Sequence, residues 1–307
     1  MKRRQLVAAA LAAALGAVTA AAVACGEDRG EVTVEDGTGT SGTTGETATA
    51  TVDTSATDPE ALDAAMADVA RYGRGQTVAL VGSTRELEAA VRAGSVARAR
   101  RAYAAARPAY ERIEPLVALF PGLDRRIDAR EDDFPRKAAD PGWTGFHPIE
   151  RALWKRRRID SRTQALASGL VRDSERLDER LRAREVPPEV AIPGVAELVD
   201  EVEESKITGE EERYSKLDLP TFLANLEGAE AFYKPLEDLL GRKDPALEER
   251  IDHAFDDAFD ELEKLRRGDR FLAYDELTDA QQRSLKQRIE ALAEPLARVQ
   301  GTLGVRS

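Results

Sequence analysis

The segment Trp143-Thr144-Gly145-Phe146-His147-Pro148-Ile149-Glu150 concentrates residue types that are rare elsewhere in an Ala-, Arg- and Glu-rich chain. His147 and Glu150 are three apart, so both can project from one helix face, an imidazole beside a carboxylate. That is half of a metal site of the kind built from helix-borne Glu-x-x-His pairs. The competing reading is a histidine at a helix start, paired with Glu150 and holding nothing. Upstream, Glu114 lies between Ile113 and Pro115, and Asp128 follows Ile127 among Arg125, Arg126 and Arg130. Either can be a ligand, or a solvated charge contributing only ~0–1 kcal/mol through a surface pair. The other histidine, His253, has Asp256 and Asp257 at i+3 and i+4. Acidic amphipathic helices produce that spacing readily, so His253 reads as a decoy.

These groups need elements to carry them, and from Asp58 onward the pattern is helical. Ala, Leu, Arg and Glu dominate, and nothing alternates with the period of a strand. Asp58-Pro59 is a cap followed by proline in the first turn, and Ser95 can cap a second helix that runs to Pro121 with kinks at Pro108 and Pro115. A third opens after Thr144. The run from Val186-Pro187-Pro188 to Pro193-Gly194 reads as the clearest break, so the body divides into lobes at 58–190 and 191–307. The expected class is all-α, two packed four-helix bundles. A faint internal echo links the halves. Tyr110 and Glu114 match Tyr233 and Glu237, and Leu123–Asp128 matches Leu247–Asp252 at nearly the same offset.

Ahead of the body, Lys2, Arg3 and Arg4 precede an apolar stretch that ends in small residues before Cys25. Residues 1–24 read as a lipoprotein signal peptide, with Cys25 the lipidated residue. Residues 25–57 then form a linker, more than half of it Gly, Ser or Thr, too poor in apolar surface to fold. The expected location is extracytoplasmic, lipid-anchored to the cell membrane.

Composition narrows the chemistry. The chain has 307 residues, a formal charge of −12, one Cys and two His. A single cysteine excludes a disulfide scaffold, a thiolate zinc site and an iron–sulfur cluster. The acidic balance argues against nucleic acid as a partner.

Five motifs carry a resemblance. They are Tyr110–Pro115; Leu123-Asp124 with Ile127–Arg130; Trp143–Glu150, which contains Gly-x-His-x-x-Glu; Lys206–Glu211 with Arg213–Ser215; and Asn225-x-Glu227-Gly228. In this order they resemble the imelysin family, and within it the EfeO/EfeM branch of the Efe iron-uptake systems. The resemblance implies a pair of four-helix bundles with one metal site near their junction. It implies Glu114, Asp128, His147 and Glu150 as ligands, with a further Glu, taken as Glu210, for which Glu204 and Glu211 compete. The cargo it implies is iron, Fe(III) or Fe(II), with Zn(II) also suited to one imidazole and several carboxylates. The implied partners are a membrane iron permease and a haem peroxidase of the same system. Long members begin with a cupredoxin-like domain, and this chain has the linker in that place, as short members do. Two other functions are weighed beside iron capture: a zinc-dependent imelysin-like metallopeptidase and a polysaccharide-binding protein. The chain has no His-Glu-x-x-His, and only 5% of its residues are aromatic, which disfavours sugar stacking.

Overall fold

The structure is a computed structural model that describes residues 57–306 except 205, with backbone alone at 203 and 204. The expected signal peptide, Cys25 and nearly all of the linker lie outside the described residues. Helix α1 spans Pro59–Arg92; the Asp58 carboxylate accepts from the amides of Glu60 and Ala61, and proline opens the helix where no amide is needed. Ser95 caps α2, Val96–Glu111.

The single kinked helix expected from Ser95 to Pro121 is instead divided. After α2 come α3, Glu114–Val117, and α4, Pro121–Asp128. The break falls at Ile113, whose φ of −121° and ψ of 7° leave the helical region just ahead of Glu114-Pro115. Two 3₁₀ turns, Glu131–Asp133 and Lys137–Ala139, lead to α5, Phe146–Trp154, and α6, Ser161–Arg182, follows.

Of the proline-rich segment expected as a break, Val186 and Pro187 do lie between helices, but Pro188 to Gly194 belong to helix α7, Pro188–Glu204. Pro188 occupies the first turn, where it is tolerated. Pro193 forfeits one backbone bond, but Ala191, Ile192, Val195 and Ala196 around it are all buried. Gly194 gives the close approach, since a Cβ there would lie 2.8 Å from Pro115 Cβ. Burial of this face outweighs the lost bond.

The remaining helices are α8 (Asp218–Tyr233), α9 (Glu237–Lys243), α10 (Pro245–Lys264), α11 (Asp279–Ala297) and α12 (Val299–Leu303). The one sheet among the described residues is a hairpin pairing Arg266 with Phe271 and Arg267 with Arg270. Helix α1 packs along α2 and α6, while α7 packs on α8 and α11, and α10 on α11. Contacts of α2 with α8 and of α3 with α7 join these groups, and one core runs from Ala65 to Leu303 through both. The fold is all-α. No helix among the described residues is long and apolar enough to cross a membrane.

Candidate metal centre

The run before α5 exists to dock one helix start on another helix end. Gly145 has φ 89° and ψ −152°, a backbone state open to glycine, and a Cβ there would overlap the Ile127 carbonyl oxygen. Thr144 Oγ1 donates to the Arg126 carbonyl at 2.9 Å, and Trp143 Nε1 to that of Ala129 at 2.9 Å. The start of α5 is thereby fastened against the last turn of α4, bringing His147 to Asp128.

His147 is buried among carboxylates. Its Nε2 stands 3.4 Å from Asp128 Oδ1 and 3.8 Å from Glu211 Oε1, and its Nδ1 stands 3.7 Å from Glu150 Oε2. One donor atom each of Asp128, His147 and Glu211 lies within 4.8 Å of the others. Glu150 is fixed from the far side, where Oε1 accepts from the amides of Tyr214 at 2.8 Å and Ser215 at 2.7 Å. Its Oε2, like His147 Nε2, is buried with no hydrogen-bond partner among the described residues. The two atoms lie on opposite edges of the ring, Nε2 toward Asp128 and Glu211 and Glu150 Oε2 beside Nδ1, and both residues line one small pocket. Buried polar atoms left without partners beside such a space are what a filled polar core avoids.

The cluster also holds built-in cations. Arg107, 2% exposed, donates through Nε to Glu212 Oε1 at 2.8 Å and through Nη2 to Glu211 Oε1 at 2.8 Å. The same guanidinium pairs with Asp128 and Glu111, and it lies 5.0 Å from the Phe146 ring centroid. Arg130 pairs with Glu211 from the solvent side. Lys206 is wholly buried, its Nζ 3.1 Å from Glu111 Oε2 and 2.5 Å from Glu114 Oε2. Asn225 Nδ2 donates to the same two oxygens at 3.0 and 3.1 Å.

Of the expected ligands, Asp128 and His147 come together, and Glu150 stands on the opposite, Nδ1 edge of the same imidazole. Glu114 sits one step away, engaged by Lys206 and Asn225 on the wall of an open cavity of about 420 Å³ that Asp124, Asp128, Glu197 and Glu201 also line. Glu210 lines the small pocket that His147, Glu150 and Glu211 also line, but from its outer side. Its carboxylate is 50% exposed and bonded to Arg213 Nε at 2.6 Å, while its neighbour Glu211 turns inward. The side chain of Glu204 lies outside the described residues. His253 is 76% exposed, and the Asp257 expected near it pairs with Arg288 at 2.7 Å instead. Arg107, Glu111, Lys206 and Glu212 were not singled out by sequence reading. Glu111 and Lys206 lie within the motifs Tyr110–Pro115 and Lys206–Glu211, and the signal for Arg107 was an Arg–Glu pair at i,i+4.

Electrostatics divide the carboxylates. Burial works against ionisation of Asp128, yet Arg107 and His147 hold it well below the usual range. Burial likewise opposes charge on Glu211, which Lys206 and Arg130 nevertheless lower. Desolvation wins at Glu114 and Glu212, raised well above their ordinary value, and at Asp218, raised to about 7. For His147, burial favours the neutral ring, but Asp128 and Glu150 lift it to about 10. An imidazole with hard carboxylate oxygens suits iron or zinc, and a soft ion finds no thiolate here.

The imelysin (peptidase M75) family profile matches residues 65–299. The iron uptake system component EfeO of Escherichia coli K12 is 42% identical over 237 residues, 76% of this chain and 62% of that protein. EfeO of Yersinia pseudotuberculosis is 41% identical over 251 residues, 81% of this chain and 66% of its own length. The chain thus spans somewhat under two thirds of the relatives it matches. With the Gly-x-His-x-x-Glu segment placed as described and a profile match across most of the helical body, the chain belongs to the imelysin family.

Proposed function

We propose that this protein binds iron outside the cytoplasm and hands it to a membrane permease of an Efe-type uptake system. Asp128, His147, Glu150 and Glu211 would hold the ion, with Glu114 on the cavity wall as the first carboxylate it meets. The observation that carries this reading is the pair of buried orphan atoms, His147 Nε2 and Glu150 Oε2, beside two carboxylates. That the relative EfeO is an iron uptake system component supports the choice of cargo. Asp128 at the end of α4, His147 and Glu150 on α5, and Glu211 in the segment between α7 and α8 would together surround the ion. Cys25 would carry the lipid that keeps the protein at the membrane, and a haem peroxidase of the same system would adjust the oxidation state of the iron.

A zinc peptidase would need an open coordination position and a water-facing general base. Glu150 is tied by two backbone amides and buried with His147, which favours capture over turnover. Calorimetry with Fe(III) and Zn(II) tests the assignment. His147→Ala and Glu150→Ala should each abolish most binding, and variants that bind iron as the parent does would overturn it. Metal-dependent cleavage of a peptide library would favour the hydrolase instead.

A further inference from the structure

The internal echo in the sequence has a structural counterpart that the proposed iron site does not use. Pro121–Asp128 and Pro245–Asp252 are identical at five of eight positions. Each proline opens a helix, α4 and α10, and the leucine and isoleucine of both copies (Leu123 and Ile127, Leu247 and Ile251) are buried. The preceding segments correspond as well. Tyr110 and Tyr233 lie at the ends of α2 and α8, and Glu114 and Glu237, four residues on, each begin a short helix.

In the first copy, Glu114, Asp124 and Asp128 line one cavity, and the Tyr110 hydroxyl donates to Asp124 Oδ1 at 2.5 Å. In the second, Glu237, Glu248 and Asp252 each offer one oxygen within 4.8 Å of the others. Tyr233, at the end of α8, precedes Glu237 by four residues. It is 1% exposed, its hydroxyl has no hydrogen-bond partner among the described residues, and the charges acting on it are those of Asp252, Glu237 and Glu248. A buried phenol oxygen without a bond, within the field of three acids on the two helices that follow, is a polar group left for a ligand to satisfy.

We infer that Glu237, Glu248 and Asp252, backed by the Tyr233 hydroxyl, form a second cation site for a hard ion of the Ca(II) or Mn(II) class. All its donors are oxygens, and it offers neither the imidazole nor the thiolate that zinc prefers. Lys234 Nζ lies 2.5 Å from Glu237 Oε2 and 3.7 Å from Asp252 Oδ1. That ammonium is half-exposed on a flexible stem, so an arriving ion displaces it into solvent. A bound ion would tie the start of α9 to the first turns of α10. The site does not depend on the iron assignment.

Terbium(III), which replaces hard divalent ions and emits when a nearby tyrosine absorbs, tests this on the full chain. With the first site removed by His147→Ala and Glu211→Gln, one equivalent should still bind saturably with sensitised emission, and Ca(II) should displace it. Adding Glu237→Gln and Asp252→Asn should abolish that emission, while Lys234→Met should tighten binding by about tenfold. No saturable binding after removal of the first site, or emission that survives Glu237→Gln with Asp252→Asn, would overturn the inference. Iron binding by the parent should be unchanged in Glu237→Gln with Asp252→Asn, so failure of one site is distinguishable from failure of the other. Because those two acids are partly exposed and their replacements isosteric, a thermal melt of the metal-free variants should match the parent.

Discussion

Arg107 Nη2 and His147 Nε2 converge on one atom: Glu211 Oε1 lies 2.8 Å from the first and 3.8 Å from the second. Asp128 Oδ1 is shared by the same two residues. The guanidinium therefore engages the very oxygens that would bind cargo beside the imidazole, and it neutralises carboxylates that would otherwise repel one another.

Arg107→Met should separate these roles. Removing the cation that Asp128, Glu111, Glu211 and Glu212 share, with Arg130, Lys206 and His147 left to offset only part of it, should lower the stability of the metal-free protein by about 3–5 kcal/mol. The rise in Tm on adding iron should then exceed that of the parent, because the ion now supplies positive charge that Arg107 gave before. An equal or smaller rise, read by scanning calorimetry, would mean that Arg107 does not compete with the ion.

The choice between adjacent acids is open to a paired substitution. Glu211→Gln should weaken iron binding by at least about tenfold, the loss of one charged donor. Glu210→Gln should stay within about 0.5 kcal/mol of the parent in both stability and binding, as expected for a half-exposed surface residue. Calorimetric titration of the two variants side by side reads the difference.

Proton linkage gives a third outcome, with opposite signs for the two states of the site. Glu114 and Glu212 are raised by burial and Asp218 to about 7, so the folded protein keeps protons that the unfolded chain has lost. Their effect lowers stability as pH rises from the unfolded carboxylate value toward the folded one. His147, raised to about 10, adds stability that is full below its unfolded value and fades as pH rises toward that point. Asp128 and Glu211 are lowered, and their contribution is lost only in stronger acid. The metal-free Tm should therefore fall between about pH 5 and about pH 8. The extra Tm conferred by Zn(II) should grow over the same interval, since the ion must displace protons to bind. A metal increment that shrinks with rising pH would contradict this.

Gly145→Ala tests the docking of α5 on α4. The added methyl meets the Ile127 carbonyl and forces a backbone state that alanine resists, at a strain of roughly 1–3 kcal/mol. Relief requires α5 to draw away from α4, which separates His147 from Asp128. Iron affinity should drop although neither ligand is changed, while helix content by circular dichroism stays near that of the parent.

Much of this was legible before the structure. Asp58 and Ser95 cap their helices as their types require, and the Gly-x-His-x-x-Glu spacing does place His147 and Glu150 on one face. Pro193 misled because a proline reads locally as a stop, whereas the apolar residues around it are buried by a neighbouring helix. Glu210 and Glu211 could not be ranked, because they follow Gly209, whose φ of 74° reverses the chain and leaves no helical period to assign an inward face. Arg107 escaped notice for a similar reason. One arginine in an Ala/Arg-rich helix looks solvated until tertiary packing encloses it.

The most direct measurement is anomalous diffraction at the iron edge from crystals grown with Fe(III). The account predicts a peak among His147 Nε2, Asp128 and Glu211, at coordination distances of roughly 2.0–2.5 Å. A map with no iron there, its strongest peak elsewhere on the protein and the His147 ring turned from Asp128, would contradict it.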